Sequence, residues 1–292
     1  VSVIASGGTG TPCCEVVLGI YEKALRWTGD WDRLFRQAKD AGFRFVDLSV
    51  DESTERRARL HWPPHKRIEV RDAAARNGIA IGGVCLSVHR AVGPGSADPA
   101  VADEADQIFE QGIRLCADLG APVLQVAGYY AFYESPDPGQ RDRYVASLRR
   151  AVPKAARAGV LLGIENVDGA DVTSLTRAME LVREIDSPWL QLYPDVGNIA
   201  EQRLDEEVEL RAGAGHMLAI HVKDVRVGEP RRVPMGDGVA DFDKAFAELA
   251  RQRWSGRMMV EMWNDDADDS VERCVAARLV VEKHLDAAGI RH

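Results

Sequence analysis

Four residues stand where short apolar runs end: Glu165 in GIEN, Asp195 in YPDVGN, His221 in AIHVKD and Glu261 in VEMW. Three carboxylates and one imidazole suit a hard or borderline divalent ion, Zn, Mn, Co or Mg, rather than a thiolate-seeking one. Taken singly, an acid at a strand end is most often a solvated rim residue or a helix cap, and a strand histidine most often a hydrogen-bonded one. Taken together at the ends of successive runs, the three acids would repel one another unless a cation stood among them. One divalent metal ion, held by Glu165, Asp195, His221 and Glu261, is the expectation. Lys223 lies two residues past His221, on the same side of a strand by its period of two, as a candidate contact to ligands or substrate. Trp263, just beyond Glu261, could wall a pocket, although ordinary rim packing is the default reading.

Such residues need a frame that brings strand ends together. Eight apolar runs supply one: Val16–Ile20, Phe43–Val50, Ala80–Ser87, Pro122–Ala127, Val160–Asn166, Trp189–Pro194, Met217–Val222 and Met258–Met262. Helical apolar spacing fills the intervals at Trp31–Ala41, Ala100–Leu119, Arg143–Ala158, Ser174–Ile185, Asp241–Arg251 and Val271–Ala287. Gly42, Gly78, Gly120 and Gly159 fall where a helix should stop and a strand begin. Eight alternations predict an α/β fold of the (β/α)8 TIM-barrel type, in which the loops after the strands build the active site. The longest such loops are Asp51–Pro64, Ser87–Pro99, Gly128–Gln140 and Val225–Asp241. Gly7–Gly8–Thr9–Gly10 is no dinucleotide fingerprint, because no strand precedes it. Residues 1–15 are expected to be a loose tail and 16–292 a single barrel domain.

Composition narrows the partners. A formal net charge of −9 disfavours a phosphodiester backbone, so no nucleic-acid role is expected. No apolar run approaches the ~18 residues of a membrane span. Five cysteines, odd in number and without zinc-type spacing, fit a reducing cytoplasm, and Cys85 and Cys116 sit in apolar segments as small hydrophobes.

The segments LGIYEKAL, FVDLSVDES, CLSVHR, YPDVGN, IHVKD, VPMGDGVADF and VEMW, with the four strand-end residues, resemble the L-xylulose 5-phosphate 3-epimerase family of xylose-isomerase-like barrels. The resemblance runs from about Val17 almost to the C-terminus. It implies 3-epimerisation of a ketopentose phosphate, L-xylulose 5-phosphate to L-ribulose 5-phosphate, by two-base proton transfer. Glu165 and Glu261 would be the catalytic bases on opposite faces of a metal-bound enediolate, with Asp195 and His221 as pure ligands. The phosphate would sit near Lys23 after the first strand and His89, Arg90 and Ser96 after the third. Asn198 and Arg231 would contact substrate, and a homodimer is implied. The family pattern HRRFPFGS is HRAVGPGS here, with Ala91 in place of a second arginine.

That departure leaves a free-ketose 3-epimerase open, and an aldose–ketose isomerase would use the same metal site. From another class, a non-catalytic sugar-binding protein would keep the fold. Loss of one flanking glutamate would have favoured it, and both are present.

Overall fold

Each of the eight apolar runs forms a strand. The computed structural model describes residues 14–292 and contains β1 (Val16–Tyr21), β2 (Phe45–Ser49), β3 (Ala80–Leu86) and β4 (Val123–Ala127). It continues with β5 (Leu161–Glu165), β6 (Leu190–Leu192), β7 (Ala219–Val222) and β8 (Gly256–Val260). All are parallel, in the order β6-β5-β4-β3-β2-β1-β8-β7. The ring closes between β6 and β7 by two isolated parallel bridges, Leu192 to Met217 and Asp195 to His221. The fold is therefore the TIM barrel expected from the alternating pattern.

Helices at Trp31–Asp40, Pro64–Asn77, Pro99–Leu119, Gln140–Ala158, Leu175–Ile185, Phe242–Gln252 and Ser270–Ala287 cover the outside. Between helices and strands lies the main apolar core, including Leu34, Phe35, Phe109, Leu148, Leu181 and Phe246. Inside the barrel the filling is different. Tyr21, Phe45, Cys85 and Met259 form one small cluster and Val123, Tyr193 and Ala219 another. Phe45 lies across two bare strand positions, because a Cβ on Gly19 or Gly82 would fall 2.3 Å from its ring. Arg257 plugs the space below, stacked over Phe45 at 5.8 Å and donating to the Gly82 carbonyl at 3.0 Å.

Two expectations shift. Of the predicted tail 1–15, residues 1–13 lie outside the described residues. Cys14 is buried and Glu15 bridges Arg291, so the barrel's base begins there. The loop Asp51–Pro64 also carries a helical turn at Thr54–Arg57 and another at Ala58–His61. Glu22, buried after β1, pins it: Arg59 Nη1 donates to both carboxylate oxygens at 2.6 and 2.7 Å, and Arg56 Nε to one at 3.1 Å.

Among the described residues no helix is long and apolar enough to cross a membrane.

Candidate metal centre and substrate pocket

The four strand-end residues converge. One donor atom from each of Glu165, Asp195, His221 and Glu261 lies within 4.8 Å of the others. Glu165 is the last residue of β5, His221 lies within β7, and Glu261 follows β8 directly. Asp195 caps the helix Val196–Glu201, its Oδ1 accepting from Asn198 N–H at 3.0 Å. Asn166 clamps the Asp195 backbone from both sides, accepting from its N–H at 2.8 Å and donating to its carbonyl at 3.0 Å.

Charge in this cluster is unbalanced. His221 Nδ1 stands 2.8 Å from Glu165 Oε1 and 4.0 Å from Glu261 Oε2. Lys223 Nζ lies 2.7 Å from Asp195 Oδ2 and 3.2 Å from Glu261 Oε2, yet neither oxygen gains a well-formed hydrogen bond. Burial pushes the Asp195 carboxyl up to about 7 against the pull of Lys223, with Glu261 and Glu165 pushing the same way. Burial by itself would lower His221, but the Glu165 carboxylate, helped by Glu261 and Asp195, holds its imidazolium up to about 9. Burial opposes ionisation of Glu261 as well, and Lys223 and His221 nevertheless keep it below its ordinary value. Three crowded carboxylates thus recruit positive charge, and a divalent ion would supply it. The buried Asp195 Oδ2 and Glu261 Oε2, which share the single Lys223 ammonium without a well-formed hydrogen bond, are oxygens such an ion would satisfy, so the residues present fit the group.

A cavity of about 250 Å³ opens over the cluster, walled by Tyr21, Lys23, Asp51, Ser87, Arg90, Tyr129, Lys223, Arg231 and Trp263 among others. Trp263 meets Tyr21 edge to face at 5.8 Å. Arg90 stacks on Phe132 at 4.8 Å and Tyr129 at 5.6 Å, and among the described residues no carboxylate pairs with it. Its buried Nε has no partner. Lys23 differs: its ammonium is 2.5 Å from Asp51. Arg231 is tied to Asp168 at 2.8 Å, and Tyr129 donates to the same carboxylate. The loop carrying Arg231 is held by buried Asp224, whose Oδ2 accepts from Gly236 and Gly238 N–H at 2.9 Å. Position 238 must be glycine, since a Cβ there would fall 2.0 Å from Asp224 Oδ1.

Three predicted contacts do not reach the cavity. His89 points into the barrel wall, packed at a tilt against Phe109 at 4.3 Å with Nε2 on the Ala105 carbonyl at 3.2 Å. Ser96 is buried and its hydroxyl accepts from Asp98 N–H at 3.1 Å. Asn198 donates to the Asn166 carbonyl at 2.8 Å and accepts from Lys223 at 2.9 Å, so its side chain steadies Lys223. Conversely, Gln125 on β4, which donates to Glu165, drew no notice in the sequence. Its signal was a lone amide within the apolar run VLQVA.

Burial lowers His89 from its ordinary 6.5 to about 4. The fold therefore holds it neutral while the unfolded chain takes up a proton below 6.5. This contribution is fully present above 6.5 and fades as pH falls toward 4, a loss of about 3 kcal/mol. Chemical denaturation of wild type and His89→Gln between pH 7 and 4 should show a shallower acid loss in the variant; parallel curves would refute it.

A barrel with these strand ends belongs to a known class, and residues 35–282 match the family model of the xylose isomerase-like TIM barrel. L-ribulose-5-phosphate 3-epimerase UlaE of Shigella sonnei (strain Ss046) is 38% identical over 275 residues, 94% of this chain and 97% of the relative. The UlaE protein of Escherichia coli (strain SE11) is 37% identical over 276 residues, with the same coverage. The chain belongs to the L-ribulose-5-phosphate 3-epimerase family of these barrels. Solved structures agree on the fold. An L-ribulose 3-epimerase superposes with a TM-score of 0.79 at 19% identity, covering 94% of this chain and 95% of that one. A D-allulose 3-epimerase from Methylomonas sp., in complex with D-allulose, gives 0.76 at 17%, covering 93% and 98%.

Proposed function

We propose that this chain epimerises L-ribulose 5-phosphate and L-xylulose 5-phosphate at C3, with one divalent ion held by Glu165, Asp195, His221 and Glu261. The observation that carries the reading is the pair of glutamates, one ending β5 and one following β8, meeting at the floor of one cavity with two further donors between them. When bound, the ion supplies Lewis-acid stabilisation of the negative charge that develops on the C2 and C3 oxygens.

The remaining work belongs to side chains. One glutamate takes the C3 proton from one face and the other returns a proton to the opposite face, which inverts the centre. Gln125 fixes Glu165 by a hydrogen bond from the barrel interior. Lys223, between Asp195 and Glu261, limits repulsion among the carboxylates and can donate to a substrate oxygen. Arg231, already neutralised by Asp168, offers directional donors to hydroxyls.

Arg90 is the better phosphate anchor of the two predicted, because Lys23 is already paired with Asp51 whereas the Arg90 guanidinium faces only rings. A dianion there gains charge-assisted bonds without first breaking an ion pair. That supports a phosphorylated ketose over a free one despite Ala91. Incubation with Mn²⁺ and L-ribulose 5-phosphate in D₂O should place deuterium at C3 and yield L-xylulose 5-phosphate. Free L-ribulose should react far more slowly, and Arg90→Ala should narrow that gap by at least tenfold. Equal rates on the two sugars in wild type would remove the phosphate from the reading, and absence of C3 exchange would remove the reaction.

A further inference from the structure

Below the four-donor cluster, the barrel interior holds a carboxylate that the proposed reaction does not use. Asp47 on β2 is buried, 1% exposed. Its Oδ2 accepts from the Tyr193 hydroxyl at 2.6 Å, while its Oδ1 is buried without a partner. Arg257 makes no ion pair with it among the described residues, being committed to the Gly82 carbonyl and the face of Phe45. Space for the carboxylate is kept by the neighbouring strand. A Cβ on Gly82 would fall 2.5 Å from Asp47 Oδ1.

Facing Asp47 is the rear edge of His221. The imidazole turns Nδ1 toward Glu165, which leaves Nε2 directed inward, where it makes a 4.0 Å contact with Cys85 Sγ. A thiol is a weak acceptor, so an imidazole N–H there is poorly satisfied. A carboxylate oxygen of Asp47, Cys85 Sγ and a ring nitrogen of His221 lie within 4.8 Å of one another. One bridging water spans such a gap. An acceptor lacking a donor on Asp47 and a donor lacking a good acceptor on His221 therefore share one buried region, each costly by itself.

We propose that Asp47 is the positioning residue for His221. Its carboxylate takes the Nε2–H across one bridging water, fixes the tautomer whose lone pair is on Nδ1, and aims that lone pair at the ion site. Tyr193 serves both partners: its hydroxyl holds Asp47 and its ring lies 4.4 Å from the imidazole. A carboxylate behind a ligating histidine also raises the basicity of the nitrogen in front. The inference rests on reading His221 as a metal ligand.

The test titrates wild type, Asp47→Asn, Asp47→Leu and Tyr193→Phe with Mn²⁺ by calorimetry, alongside the melting temperature of each chelator-treated protein. Asp47→Asn keeps the shape and removes the charge, and should weaken Mn²⁺ binding about 10–100-fold. Asp47→Leu should weaken it further. Tyr193→Phe keeps the ring and removes only the donor to Asp47, so it should shift affinity in the same direction by less. A purely structural role would lower melting temperature and leave affinity alone. Should the Asp47 variants not fold, Tyr193→Phe decides, and wild-type affinity in it overturns the proposal. Wild-type affinity in a folded Asp47→Asn does the same. A wild-type protein that binds no Mn²⁺ would instead overturn the metal reading on which this one stands.

Discussion

Glu165→Gln and Glu261→Gln should each lower epimerisation by roughly 10²–10⁴-fold, the effect of a lost acid–base group. Either change keeps a neutral oxygen beside the other donors and removes only the proton acceptor. The two variants should fail differently. With one base intact, the variant still exchanges the C3 proton with solvent for the epimer whose C–H faces the surviving glutamate, while conversion to the other epimer is lost. Glu165 has its Gln125 partner and Glu261 has Lys223, so the amide replacements meet different neighbours. At position 261 an amide nitrogen turned toward the ammonium would be repelled, which favours the carbonyl-in orientation and keeps the local geometry. Both variants must be compared at saturating ion, or lost affinity will pass for lost chemistry. Near-normal turnover by either one, measured with both epimers in D₂O, would dispose of the two-base assignment.

Ion removal should abolish turnover as completely as loss of a base. Chelator treatment should silence the enzyme and Mn²⁺ or Co²⁺ should restore it, at one ion per chain. His221→Ala removes the neutral ligand and leaves three carboxylates within a few ångströms, so it should cut affinity by on the order of 100-fold or more. In His221→Ala with Asp195→Asn, two of four donors are weakened or gone. Elemental analysis of that double variant after dialysis should find the site substantially empty. Full occupancy would mean that the ion sits elsewhere.

The barrel and its four converging donors were legible because they depend on short-range patterns. Alternating apolar runs name the strands, and in a closed barrel every strand end faces the same rim. Direction was less legible than address. His89 and Arg90 are neighbours on the same short turn, yet one packs against Phe109 inside the wall and the other opens into the cavity. A sequence gives no sign of which way such a turn rotates. Pairing was equally hidden: the partner of Lys23 comes from the loop after β2, and that of Arg231 from the loop after β5. Helices Val196–Glu201 and Glu206–Ala212 are too short to show a period, and the first is begun by Asp195, whose expected ligand role concealed its capping role. Asp47 and Gln125 escaped notice because a polar residue within an apolar strand gives no hint that it points into the barrel lumen. Strand ends drifted for a similar reason: Trp189–Pro194 and Met217–Val222 contain apolar residues that pack beyond the paired segments Leu190–Leu192 and Ala219–Val222.

The gap between β6 and β7 gives the ring a place to come undone. Every other neighbouring pair shares a ladder of at least three registered residues, whereas this seam is sewn by two single stitches, one of them between Asp195 and His221. A clasp at that stitch would resist breathing of the hoop, because spreading β6 from β7 must also pull two donors apart. Backbone amides along Leu190–Leu192 and Ala219–Val222 are therefore the natural hydrogen-exchange reporters of a filled site, and the far side of the hoop, at β2 and β3, should scarcely register it.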